Sequence, residues 1–113
     1  MKTVTLGVAS RDAVTKRFLA AMNGKAQGTF ISFDSPELLF QTLTQLRWSM
    51  IQAITGAGAL SIREIARRVD RDVKAVHRDV HALLDVGVLE RNADGAVEFP
   101  YDAVHVDFML KAA

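Results

Sequence analysis

With 113 residues, half of them apolar, the chain has room for one compact domain with an appendage. A net charge of +1 excludes a protein that coats nucleic acid through charge alone, and the lack of cysteine excludes disulfides, thiolate metal sites and cysteine redox sensing. No uninterrupted apolar stretch is long enough to cross a bilayer, so we expect a cytoplasmic protein with no membrane partner.

The first 33 residues predict a β-α-β lobe. Residues 3–9 alternate apolar and polar side chains as a strand does, 11–22 carry apolar side chains at helical spacing, and 28–33 are again strand-like. A lobe of this size cannot bury its sheet alone. We therefore expect residues 1–33 to serve dimerisation or partner binding, and residues 34–113 to form a separate domain that ends in a strand.

Residues 34–55 predict one long helix. Ser35 suits the N-cap, Pro36 suits the first turn, and the Gly56-Ala57-Gly58 run ends the helix. The predicted apolar stripe consists of Leu39, Leu43, Leu46, Met50 and Ile54, extended by Phe40, Arg47 and Ile51. This helix would support those that follow, and its broad apolar face is a candidate dimer surface.

A short helix, a tight turn and a longer helix follow. Ser61 and Glu64 have the spacing of a capping box, so a helix starts at Ser61. Asp72 is a good N-cap for the next helix, whose apolar face comprises Val73, Val76, Val80, Leu83 and Leu84. Gly87 suits a left-handed position after the helix. Two helices joined in this way predict a helix-turn-helix, whose second helix can enter the DNA major groove.

The end of the chain predicts a hairpin and a strand. Residues 88–90 are expected to pair with 96–99 across a turn that contains Asp94-Gly95, a strong hairpin signal. Residues 103–110 alternate and predict a strand that pairs with an N-terminal strand of this chain or of a partner, although a helix is the alternative.

The run from Leu60 to Arg91, LSIREIARRVDRDVKAVHRDVHALLDVGVLER, resembles the small prokaryotic winged helix-turn-helix transcriptional regulators of the MarR-like and ArsR-like type. With the flanking ISFDSPELLF and FPYDAVHVDF, the chain also resembles regulators that act as antitoxin and autorepressor of a toxin–antitoxin pair. The resemblance implies an α+β fold in which residues 34–113 form a winged helix-turn-helix DNA-binding domain with a C-terminal strand. It also implies a double-stranded operator and a cognate toxin as partners.

The residues expected to contact DNA lie mainly on the two helices, on the face away from the apolar stripe, and at the base of the hairpin. They are Ser61, Arg63, Arg67, Arg68, Arg71, Lys74, Ala75, His77, Arg78, His81 and Arg91. Among them, Arg78 is expected to read a base, and Arg67 or Arg68 to position the protein on phosphates. Asp79 is expected to orient Arg78 or the neighbouring histidines.

Other function classes have little support. His77 and His81 stand one helical turn apart, but the third histidine is distant, so we expect no metal and no cofactor. No nucleophile motif or phosphate loop is present, so we expect no enzyme. The alternative function is a winged-helix module that binds proteins without specific DNA binding. The high apolar fraction predicts a homodimer, although a well-filled core explains the composition equally well.

Overall fold

The computed structural model describes residues 2–8 and 29–109. This part of the chain is a small α+β domain with four helices and five strands, as predicted for the fold class. The elements are β1 (Thr3–Val8), β2 (Thr29–Phe33), α1 (Pro36–Thr42), α2 (Gln45–Ile54), α3 (Ile62–Val69), α4 (Val73–Asp85), β3 (Glu90–Arg91), β4 (Val97–Glu98) and β5 (Ala103–Asp107). The helix predicted over 11–22 lies outside the described residues.

Three strands form a parallel sheet in the order β2-β1-β5. Leu6 is opposite Ile31 of β2 and Val106 of β5, so both strands flank the same buried strand. The prediction of a C-terminal strand is confirmed, and that strand pairs within the same chain. The start of the β1–β5 pair is fixed by a reciprocal contact: the Lys2 N–H donates to the Asp102 carboxylate at 2.7 Å, and the Asp102 N–H donates to the Lys2 carbonyl at 2.7 Å.

The single long helix predicted for residues 34–55 is wrong, because the chain forms two helices there. The first is capped by Ser35 as predicted, but it ends at Leu43, whose φ of −96° and ψ of 69° are not helical. The Thr44 hydroxyl then accepts the Arg47 N–H and caps α2. Arg47 in turn donates to the Thr42 carbonyl at 3.1 Å, so its side chain binds a carbonyl that the end of α1 leaves free.

One core unites the sheet with the helices. It includes Val4 and Leu6 of β1, Met50 and Ile54 of α2, and other buried residues that are Phe33, Leu39, Ile51, Ile65, Ala66, Val76, Val80, Leu83, Val88, Leu89, Val97, Phe99 and Tyr101. Three apolar residues predicted for the stripes are exposed instead: Phe40 and Leu46 are each 56% exposed, and Val73 is 43% exposed. Leu43 and Leu84 are only partly buried against the core. Leu46 and Val73 stand at the first turn of a helix, where the side chain can extend past the neighbouring elements.

The predicted hairpin is confirmed. Arg91 pairs with Val97, and Leu60 forms a further antiparallel bridge to Val97 on the other side. In the turn, the Asn92 side-chain oxygen accepts two backbone N–H groups, and Gly95 takes the left-handed φ of 84° that the prediction required. The hairpin thus stands directly after α4 and is attached to the segment before α3. Among the described residues, no helix is long and apolar enough to cross a membrane.

Candidate nucleic-acid interface

Helix α3 begins where the sequence predicted. The Ser61 hydroxyl accepts the Glu64 N–H at 3.1 Å, which satisfies one of the free donors at the helix start. The Glu64 carboxylate accepts hydrogen bonds from Arg67 and Arg68, one turn further along. These hydrogen bonds lower the pKa of Glu64 to about 2, and the bond from Arg67 has the largest effect. Arg67 and Arg68, which were both predicted to contact DNA, are therefore already partly neutralised by an acid on their own helix.

The turn between α3 and α4 is closed by backbone and side-chain bonds. Asp70 takes a left-handed conformation with φ 53°, and the Arg71 N–H donates to the Ala66 carbonyl at 3.0 Å. Asp72 then caps α4, because its carboxylate accepts the N–H groups of Lys74 and Ala75. These bonds hold the first turn of α4 in a defined direction relative to α3.

Asp79, on α4, joins three elements. Arg47 of α2 donates from Nε to Oδ1 at 2.9 Å, and Arg71 of the turn places Nη1 2.8 Å from Oδ2. The side chain of Asp79 is 13% exposed, and those of Arg47 and Arg71 are 21% and 19% exposed. Burial raises the pKa of Asp79, but the hydrogen bonds and charges of Arg47 and Arg71 outweigh it and hold the pKa below its ordinary value of 3.8. The ionised carboxylate thus fixes α4 against α2 and the turn.

This arrangement differs from the predicted one at two residues. Asp79 does not orient Arg78 or the histidines, because both of its oxygens face Arg47 and Arg71. Arg71, predicted to contact DNA, is largely buried in that ion pair. Sequence reasoning missed Arg47, which it placed in an apolar stripe. A signal was available, since Asp79 lies between Val76 and Val80 on the helix, and a carboxylate beside a core needs a cation.

Three cations of the region have no partner within residues 2–8 and 29–109. Arg63 of α3 and Lys74 and Arg78 of α4 are exposed and make no ion pair or side-chain hydrogen bond there. Lys74 and Arg78 stand one turn apart on the side of α4 that faces away from the buried Val76, Val80 and Leu83. The exposed side of α4 is therefore positive, and its charge is not neutralised by the acids nearby.

A second cluster lies towards the hairpin. The rings of His77 and His81 stack with centroids 4.1 Å apart, and the Arg91 guanidinium lies 3.5 Å from Nε2 of His81. All three side chains are exposed. Arg91 belongs to β3, so this contact brings the base of the hairpin beside the exposed side of α4. Ala75 is half-buried and leaves room beside Lys74. No group of three potential metal ligands occurs in the described part of the chain.

Comparison with protein-family models identifies the family to which the chain belongs. The HVO_A0114 family model matches residues 42–106, which is more than half of the chain. The matched range contains α2, α3, α4, the hairpin and most of β5, and it excludes β1 and β2. It therefore includes every residue of the candidate interface. No curated protein matches the sequence.

Proposed function

The chain belongs to the HVO_A0114 family, and we propose that it is a sequence-specific DNA-binding transcriptional regulator. The observation that carries this proposal is the exposed side of α4, where Lys74 and Arg78 stay unpaired while Arg47, Arg67, Arg68 and Arg71 are each held by an acid. Because these cations are unpaired, no ion pair has to be broken before they bind phosphates or base edges.

The proposed fold is a winged helix-turn-helix. Helices α2, α3 and α4 form its helical part, with α4 as the recognition helix, and the β3–β4 hairpin with Leu60 forms the wing. Lys74 and Arg78 then face the major groove, Arg63 meets the adjacent backbone, and Arg91 reaches a phosphate beside the wing. His77 and His81 lie between the groove and the wing, where either can donate to a phosphate oxygen.

The proposed mode of action is repression by occupancy. A homodimer would present two copies of α4 to an operator and exclude polymerase from the promoter that it covers, most simply its own. The antitoxin role and the cognate toxin follow from the resemblance to prokaryotic regulators, and the cytoplasmic location follows from the lack of a long apolar stretch in the sequence. All three stay predictions.

The test compares Arg78→Ala with Arg68→Ala on a duplex selected from a random pool and on a scrambled duplex. Each variant removes one positive charge, but Arg68 is already paired with Glu64. Arg78→Ala is expected to cost about 1–3 kcal/mol on the selected duplex and much less on the scrambled one, because a guanidinium reads a guanine edge in two hydrogen bonds. Arg68→Ala is expected to have a small effect, equal on the two duplexes.

The salt dependence of binding separates this function from the alternative, a protein-interaction module. DNA binding through phosphate contacts weakens as salt rises, with the slope falling by about 0.9 for each contact removed. Enrichment of no sequence from the pool would contradict sequence-specific binding. If binding to DNA also shows no dependence on salt, the protein-interaction module is favoured.

A further inference from the structure

Val73 breaks the pattern of the helix to which it belongs. It is the first residue of α4, and its side chain is 43% exposed although helical spacing predicts it to be buried with Val76 and Val80. A β-branched residue also has a low preference for helices. A valine that is nearly half exposed at this position is therefore not expected from packing or from local helix stability. Violations of this kind concentrate at functional sites.

The surroundings of Val73 are charged, with more cations than acids. It lines a depression along α4 together with Lys74, His77, Arg78 and the capping Asp72. It also lines a second depression, between α3 and α4, where three arginines meet Asp70 and Asp72. Among the residues that the structure describes, Val73 is the apolar side chain that the two depressions share, and it is exposed at the end of α4 that Asp72 caps. Helical side chains lean towards the N-terminus of the helix, so Val73 extends ahead of the cations along the helix axis.

We propose that Val73 contacts the 5-methyl group of a thymine in the major groove and thereby determines a preference for one A·T pair. The inference rests on the proposed function of α4 and names the base that one of its residues reads. Among the four bases, only thymine presents a methyl group in the major groove. The two methyl groups of valine have few rotamers, so the contact requires little ordering of the side chain.

The same contact discriminates against the other bases. Cytosine lacks the methyl group, and guanine and adenine present acceptors that an apolar side chain would remove from water without a hydrogen bond. The flanking Lys74 and Arg78 are suited to phosphate and guanine. Valine supplies a kind of recognition that these cations cannot.

The experiment removes the methyl group from the DNA. Each thymine of the selected duplex is replaced in turn by deoxyuridine, which keeps every hydrogen-bonding group, and dissociation constants are measured for the wild-type chain, Val73→Ala and Lys74→Ala. For the wild type, deoxyuridine at one position is expected to weaken binding about fourfold, the factor that corresponds to one buried methyl group. Val73→Ala is expected to bind the thymine and deoxyuridine duplexes alike. Lys74→Ala is expected to bind both more weakly and to keep the fourfold ratio.

The outcomes separate this inference from the proposed function. If the pool yields a preferred duplex but no thymine-to-deoxyuridine change affects the wild type, or if Val73→Ala keeps the fourfold ratio, the thymine contact is overturned and sequence-specific binding stands. If the pool yields no preferred duplex, sequence-specific binding fails and the thymine contact fails with it. Unchanged helical circular dichroism of Val73→Ala checks that the variant is folded.

Discussion

At the scale of single residues, the ion pairs of Asp79 contribute most to the geometry of the candidate interface. A partly buried carboxylate with one cation would be a weak support, because desolvation offsets much of the attraction. Here two arginines from different elements contact its two oxygens, and Arg47 also donates to two carbonyls at the end of α1. The direction of α4 therefore depends on a carboxylate that itself does not face the exposed side of the helix.

Asp79→Ala is expected to lower the free energy of unfolding by about 2–3 kcal/mol, because it leaves Arg47 and Arg71 partly buried without an anion. Glu64→Ala is the matched control, since it also removes a carboxylate that binds two arginines, but one that is 31% exposed, against 13% for Asp79. Its effect is expected to be small, as for other surface ion pairs. Urea unfolding measures both, and equal losses would contradict the role assigned to Asp79.

The pH dependence of stability should report the same carboxylate. The pKa of Asp79 is lower in the folded chain than its ordinary 3.8, so around that pH the unfolded chain binds more protons. Its contribution is therefore full well above 3.8 and is lost as the pH falls through the lower, folded pKa. We expect the free energy of unfolding to fall more steeply from pH 5 to about pH 3 in the wild type than in Asp79→Asn. Parallel curves would contradict this.

Part of this site could be predicted from the sequence, and there is a physical reason why the rest could not. Ser61 and Asp72 were identified because a cap acts within three residues of itself. The Arg47–Asp79 pair joins residues 32 apart, and no local rule predicts which elements will meet. Val73 was placed in the core because helical spacing gives the direction of a side chain but not how far the neighbouring helix extends.

At the scale of elements, strand β1 depends on a glycine. Gly7 is buried between β2 and β5, and a Cβ built on it would lie 2.5 Å from the Asp107 carbonyl oxygen and 3.1 Å from the Phe30 ring. The close neighbour is backbone of an adjacent strand, which cannot move without disturbing the pairing. A side chain at this position would separate β5 from β1.

Gly7→Ala is expected to destabilise the chain by about 1–3 kcal/mol, as overpacking of a tight site generally does. Ser32→Ala changes the exposed residue of β2 that is opposite Gly7, and it is expected to have little effect. Thermal or urea unfolding of both variants provides the comparison. A Gly7→Ala variant as stable as Ser32→Ala would show that β5 can shift without cost.

Elements were predicted well where local signals set both of their ends. The hairpin had its Asp94-Gly95 turn, and α3 and α4 had their caps. The break between α1 and α2 was missed because the apolar spacing continues through Leu43 and no glycine or proline interrupts it. Only the combination of the Thr44 cap with the reach of Arg47 makes two short helices preferable to one long helix.

At the scale of the whole molecule, β5 brings the end of the chain back to its beginning. The predicted boundary after Phe33 separates two segments that share one sheet and one core. Alternation predicted both strands, but it could not choose between pairing within one chain and pairing across a dimer. Because β5 pairs with β1 of its own chain, a homodimer would have to use another surface, and a test of the dimer must change that surface.

We propose that a second copy of the chain binds to one apolar face of the molecule and forms a homodimer. A depression between α1, α2 and β5 is lined by Leu39, Phe40, Leu43, Trp48 and Val106. Phe40 is 56% exposed, and its ring meets that of Phe108 edge-to-face with centroids 5.4 Å apart. An exposed aromatic pair beside an apolar depression is typical of an interface core. None of the described residues that line the depression belongs to α4, so a partner bound there leaves α4 available to DNA.

Phe40→Lys is therefore expected to convert the proposed dimer to a monomer, because it places a charge in the centre of an apolar interface of about 1,200–2,000 Å² in total. Leu46→Lys is the matched control, since Leu46 is equally exposed at 56% but does not line the depression. Sedimentation equilibrium at micromolar concentration measures the mass of both. A dimer that survives Phe40→Lys but not Leu46→Lys would move the interface to α2, and a monomeric wild type would remove the dimer from the proposed mechanism.

If the wild type is a dimer, Phe40→Lys should also weaken binding to a selected two-site duplex far more than binding to a single half-site, because only the dimer engages both halves together.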